Sequence, residues 1–191
     1  MLKPLTEGSL YALYYRGSFA PYKPISGTET PIYVGKADPE DRNASSPKEQ
    51  GPKLTDRVME HRRNIERASD PANPNRTLAV SDFDCRTLVV RSGAEQQAED
   101  YLIHLFKPVW NKEIKILQGF GKHGDAAATR AHPQSPWDVL HPARKWAAGS
   151  PPGSKSAAEI EADLKAHFGS IKIFKTIDEV MKAFIEELKQ L

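Results

Sequence analysis

Cysteine occurs once among the 191 residues, at Cys85. That excludes an internal disulfide and a cysteine-rich zinc site. It leaves a reduced cytoplasmic setting as the default, and Cys85 reads as a small residue packed near a strand. Long apolar runs are also missing. None approaches the roughly 18 residues that span a bilayer, and the opening Met1-Leu2-Lys3-Pro4-Leu5-Thr6-Glu7 carries no apolar signal region. No membrane partner is expected. An excess of one charge is lacking too: 27 Lys and Arg stand against 25 Asp and Glu, a formal net of +2. The chain as a whole is therefore not a strongly basic nucleic-acid binder. The glycine-rich stretch 119–124 lacks the lysine–serine/threonine ending of a phosphate loop. No internal repeat is visible.

What is present is unevenly placed. Residues 151–191 carry six Lys and seven Asp or Glu, a net of −1, which leaves +3 on residues 1–150. Lys53, Arg57, Arg62, Arg63 and Arg67 gather in one stretch with His61. Such a face can neutralise phosphates, although Asp56, Glu60 and Glu66 are interleaved. Hydrophobic content of 39% and charged content of 27% fit a folded globular chain.

Residues 10–16 and 31–36 read as strands, rich in Tyr, Leu, Ile and Val with Gly or Pro punctuating their connection. That connection, 17–30, is too long for a tight hairpin turn and is a candidate recognition insert. Another polar loop follows at 37–52. A helix is predicted over 54–68, where Leu54, Val58, His61 and Ile65 form one stripe. Arg57 lies one turn before His61, so both side chains can reach one point. After a loop over 69–76, residues 83–91 read as a strand.

The next helix is predicted to start at a capping box, Ser92-Gly93-Ala94-Glu95, and to stop before Pro108. The box gives Glu95 a structural task. Glu99, in line with Leu102 and Phe106, has none, and a carboxylate along an apolar face costs energy unless it meets a metal, cation or donor. Glu99 is the better functional candidate. Beyond Asn111 the chain is irregular. His123, His132 and His141 are nine apart, a spacing no helix or strand period brings to one metal site, and they read as loop histidines. Pro151-Pro152-Gly153 suggests a hinge. Capping boxes at Ser156–Glu159 and Thr176–Glu179 predict helices over 157–168 and 177–190, with a short strand at 171–174 between them. The stripe Ile177, Val180, Met181, Phe184, Ile185 and Leu188 is expected to dock on the main body, or else on a second copy.

These segments together resemble the GIY-YIG nuclease family. Tyr11 in Leu10-Tyr11-Ala12-Leu13 aligns with the first half-motif, although Ser9 and Leu10 replace its usual glycine and isoleucine. Ile32-Tyr33-Val34-Gly35 matches the second, Arg57 the family arginine, and Glu99 and Asn111 the glutamate and later asparagine. The resemblance covers about residues 9–111. Arg57 and His61 one turn apart, Lys36 after the glycine, the insert Phe19–Ile25 and the stretch Trp137–Arg144 are similar to the type II restriction endonucleases of this family that cut CCGCGG. The resemblance implies an α+β fold, a small central, mostly antiparallel sheet flanked by helices with loop insertions, to which the elements read over 157–190 add a C-terminal α-β-α extension. The chain then divides into a catalytic core at 1–115 with DNA-contacting loop insertions and an extension at 116–191 expected to pack on the core or to contact DNA or a dimer partner. The implied partners are double-stranded DNA and a second protomer on a palindromic site, and the implied cofactor is Mg²⁺, with Mn²⁺ able to substitute.

The resemblance further implies the roles. Glu99 binds the metal and Arg57 the scissile phosphate. Tyr11 acts as, or positions, the general base. Tyr33 and His61 orient water and phosphate, Asn111 braces the site, and Lys36 is a phosphate or tyrosine-tuning cation. Two rival readings stand beside this one: a structure-specific repair or mobile-element nuclease, and a DNA-binding module without catalysis. Arg16, Lys23, Arg42, Lys122, Arg130 and Arg144, all placed in loops, are the candidates for reading guanines.

Overall fold

The structure is a computed structural model, and it describes residues 9–38, 52–69, 76–89, 94–121, 132–142 and 144–189. Three strands form one antiparallel sheet: β1 (Ser9–Tyr15) at the centre, β2 (Tyr33–Ala37) on one side and β3 (Phe83–Val89) on the other. The registers Tyr11↔Gly35 and Tyr11↔Thr87 lock β1 between its neighbours. A central strand is covered on both faces, and Leu10, Tyr11, Leu13, Tyr14 and Tyr15 are accordingly all buried. β3 is an edge strand, and Asp84 to Leu88 along it are exposed, Cys85 among them. The cysteine sits within the edge strand and is exposed, rather than packed beside a strand.

The connection between β1 and β2 does not project as a loop. Pro21 and Pro24 fit a short 3-10 helix over Ala20–Ile25. Its apolar residues Tyr22 and Ile25, with Phe19 before it, are buried in the main core. The Tyr22 hydroxyl accepts from the Trp110 indole N–H at 3.0 Å and meets His141 Nε2 at 2.6 Å. Any recognition role for this insert falls to its exposed residues, such as Lys23.

Helix α1 (Lys53–Arg67) buries Leu54, His61 and Ile65 of the stripe predicted from the sequence, with Asn64 beside them, while Val58 is only partly buried. Helix α2 (Glu95–Phe106) ends at Lys107, whose left-handed backbone (φ 47°) closes it ahead of Pro108. Both helices pack against β2. The predicted start of α2 is revised: the helix begins at Glu95 behind Ala94, which caps nothing with its side chain, and Ser92 lies outside the described residues.

Two short helices follow, α3 (Pro136–Leu140) and α4 (Lys145–Ala148), then α5 (Ala157–Ser170) and α6 (Ile177–Leu188). The reciprocal capping box at Ser156 and Glu159 is complete. At Thr176 only half of it forms, because the Glu179 carboxylate accepts from the Lys175 N–H instead. Residues 171–174 are extended but not a strand. Phe174 gives its carbonyl to the Glu29 N–H and its own N–H to the Thr30 hydroxyl, each at 2.8 Å, and no strand runs beside it among the described residues. Over 157–188 the chain is therefore two helices joined by an extended link.

One apolar cluster runs from Leu13 and Tyr15 through Trp110, Phe120 and Trp137 to Ile160, Leu164 and Phe168, so residues on both sides of position 115 share a core. On α6, Ile177, Met181, Phe184 and Ile185 stay exposed, and the stripe meets the body where the Phe184 ring touches Tyr101 of α2. No helix among the described residues is long and apolar enough to cross a membrane.

Candidate active site

The β1–β2 register sets the floor of the site. Tyr11 lies opposite Gly35, and its ring crosses over that glycine. A Cβ at position 35 would stand 2.6 Å from the Tyr11 hydroxyl oxygen and 2.9 Å from the Tyr33 ring. Glycine is needed here for room, so that two tyrosine rings, 6.0 Å apart, can sit over one backbone position.

Helix α1 brings the next groups. His61 is buried, and its Nε2 meets the Tyr11 hydroxyl at 2.7 Å. Its ring lies 4.9 Å from that of Tyr33 and stacks on Phe120 at 4.7 Å and 17°. Arg57, one turn earlier, is partly exposed and donates to Glu60 at 2.8 Å. Burial raises the Tyr11 phenol well above its ordinary range, Tyr33 adds to the rise, and the Arg57 guanidinium opposes it. Tyr33 is raised as well, chiefly by burial, with Tyr11 and Arg57 opposing. Both phenols are therefore neutral at rest, and a proton leaves Tyr11 only if a neighbour takes it.

An open cleft of about 880 Å³ lies over this floor. Tyr33, Lys36, Arg57, Glu99 and Asn111 line it, while Tyr11 and His61 lie buried beneath. All seven residues singled out in the sequence are thus brought to one place from two strands, two helices and a turn. Glu99 is half-buried and makes no hydrogen bond or ion pair with a described residue. Desolvation raises its carboxyl above the usual range; Lys36 opposes this, and Glu113, Asp100 and Asp38 reinforce it. Glu95 is buried and does not line the cleft. The preference for Glu99 rests on this placement and not on a cap at Ser92.

Asn111 is buried, and both ends of its carboxamide are bonded. Its Oδ1 accepts from the Val34 N–H at 3.0 Å and its Nδ2 donates to the Val34 carbonyl at 2.8 Å. The carboxamide stands in for a neighbouring strand on the open edge of β2. Lys36 donates to Asp38 at 2.5 Å at the cleft rim.

Asp38, Glu99, Asp100 and Glu113 all line the cleft. Among the described residues no group of three or more His, Cys, Asp or Glu side chains is arranged to hold a metal. A lone desolvated carboxylate with acidic neighbours suits Mg²⁺, which keeps most of its waters and takes one or two carboxylates from a protein.

The guanine-reading candidates fare unevenly. Arg16 is tied to Asp84 at 2.8 Å and to the Thr28 carbonyl at 3.0 Å. Lys23 is exposed, and Arg42, Lys122 and Arg130 lie outside the described residues. Arg144 is overturned as a loop reader: its side chain has no exposure and pairs with Asp138 at 2.6 Å. His141, expected in a loop, is fully buried at the end of α3, and burial pushes its pKa down to about 4. His132 is exposed, and His123 lies outside the described residues. Sequence reading missed Phe120 and the turn around it, because an aperiodic segment gives no signal of what its ring will touch.

The family model described as the Eco29kI GIY-YIG domain matches residues 3–168. No curated protein matches the chain.

Proposed function

The chain belongs to the Eco29kI GIY-YIG family and so carries a DNA nuclease domain, and on that premise we propose that it is a type II restriction endonuclease. It hydrolyses a phosphodiester bond in each strand of a short GC-rich palindrome, with CCGCGG as the expected site. It acts in the cytoplasm as a homodimer, one active site per protomer, in keeping with the two-fold symmetry of the DNA. The observation that carries the proposal is that Arg57 and Glu99 line one cleft whose floor holds the buried Tyr11–His61 pair.

Arg57 binds non-bridging oxygens of the scissile phosphate, for which a partly exposed guanidinium at the cleft wall is suited. His61 holds the Tyr11 hydroxyl in position, and the Tyr33 ring flanks the Tyr11 ring. As water attacks phosphorus, Tyr11 oxygen takes a proton from it and passes its own proton to His61 Nε2, which lies within hydrogen-bond reach. This relay avoids a free phenolate, which burial disfavours. The P–O bond to the leaving oxygen then breaks. Glu99 would hold Mg²⁺, or Mn²⁺ in its place; when bound, the cation polarises the phosphate and stabilises the leaving oxygen. Lys36 adds positive charge at the rim, and Asn111 keeps β2 in place beneath Tyr33 and Lys36.

The test is digestion of supercoiled plasmids with and without CCGCGG, in Mg²⁺, followed by sequencing of the ends. Discrete double-strand fragments from the plasmid that carries the site support the proposal. Nicked circles would favour a repair-type nuclease, and a gel shift without cutting would favour a binding module.

A further inference from the structure

Arg144 lies far in sequence from every residue assigned to the reaction, yet its surroundings point at the site. Its guanidinium is wholly buried between the rings of Trp137 and Trp146, at 4.3 and 4.6 Å. Nε donates to Asp138 at 2.6 Å. Nη1 donates to the Phe120 carbonyl at 3.2 Å and Nη2 to the Gly119 carbonyl at 2.9 Å. Asp138 is held in turn by the Ser135 hydroxyl at 2.5 Å. Each of these bonds uses a different donor of one planar group, an arrangement that lysine cannot reproduce.

The turn they grip is tightly confined. Gly119 has φ +116°, and a Cβ there would stand 2.2 Å from the Ser135 hydroxyl oxygen. From the opposite side Asn64, one turn beyond His61 on α1, donates to the same Phe120 carbonyl at 3.2 Å. Between these grips the Phe120 ring stacks flat on His61 at 4.7 Å and touches Tyr33 at 5.5 Å and Trp110 at 4.3 Å. The backbone held by Arg144 therefore carries the ring that sets the plane of the imidazole, and that imidazole meets the Tyr11 hydroxyl.

We infer that Arg144 is a positioning residue for the nuclease reaction, acting through the Gly119–Phe120 turn to fix the His61 ring against Tyr11. The inference rests on the proposed nuclease reading for its kinetic consequence and on geometry alone for its structural one. A buried ion pair with a structural role only would change stability; this one also changes turnover without changing DNA affinity.

The test compares the full wild-type chain with Arg144→Lys, Phe120→Leu and a control, Ile160→Val, in the same core but away from His61. Initial rates are taken on plasmid carrying CCGCGG in Mg²⁺, and the His61 ring resonances are followed by heteronuclear NMR. Arg144→Lys and Phe120→Leu are each expected to lower kcat roughly tenfold with KM within about twofold, the pattern of a misplaced catalytic group. The His61 signals should move in both, as the stacked ring shifts, and stay in place in the control. Unchanged kcat with unmoved His61 signals in folded variants would overturn the inference. If Arg144→Lys does not fold, Phe120→Leu carries the same comparison. If the wild type itself cuts no DNA, the nuclease reading fails, while the His61 resonances still decide whether the clamp exists.

Discussion

Replacing Asn111 by alanine removes a carboxamide that makes two hydrogen bonds to one residue of an edge strand, at 3.0 and 2.8 Å. The Val34 N–H and carbonyl on that side are buried, and Val34 itself has no exposure. A satisfied hydrogen bond contributes about 1 kcal/mol net, and a buried group left without a partner costs about 1–3 kcal/mol. Two such groups give a loss of about 2–6 kcal/mol, brought to about 2–4 kcal/mol where water enters from the cleft. For a chain of this size that is a fall of roughly 5–15 °C in Tm. Val34 sits between Tyr33 at the floor of the site and Gly35 beneath Tyr11, so a looser β2 should also lower kcat, by roughly ten- to a hundredfold. Thermal unfolding followed by circular dichroism, beside plasmid cleavage well below the variant's Tm, measures both effects. An Asn111→Ala protein with wild-type Tm and wild-type kcat would refute the brace.

Gly35→Ala forces a methyl group to 2.6 Å from the Tyr11 hydroxyl oxygen; overpacking should cost about 1–3 kcal/mol in chemical denaturation and lower kcat more than tenfold. Tyr11→Phe removes the hydroxyl that meets His61, and kcat should fall at least about a hundredfold with DNA affinity retained in a gel shift. Glu99 is raised by desolvation and binds a cation only when ionised, so the Mg²⁺ requirement should weaken as pH rises. As pH falls, affinity should be lost above the usual carboxylate range, a dependence that Glu99→Gln removes. His141 is held neutral with its pKa lowered from 6.5 to about 4. The unfolded chain takes up that proton first, so stability should decline as pH falls from 6.5 towards 4, by about 3 kcal/mol from this group; His141→Gln should flatten the curve over that window.

Much of the site was legible because it rests on local patterns. Strands β1 and β2 announce themselves by alternating aromatic and aliphatic residues, and the spacing of Leu54, His61 and Ile65 fixes which face of α1 is buried. That spacing was enough to put Arg57 and His61 together. What stayed hidden depends on contacts between distant segments. Arg144 looks like a loop cation until Asp138 and two tryptophans enclose it. The insert after β1 looks exposed until Tyr22 finds Trp110 and His141. Residues 171–174 have strand composition but no neighbouring strand among the described residues, and composition alone does not supply a ladder.

The central claim is that this cleft cuts DNA with a metal held at Glu99. Glu99→Gln keeps the side-chain shape and removes the charge, and because that charge is desolvated the variant should unfold no earlier than the wild type. With supercoiled plasmid carrying CCGCGG in Mg²⁺, the account predicts a gel shift like that of the wild type and no cleavage products. Cleavage by Glu99→Gln at the wild-type rate would contradict it.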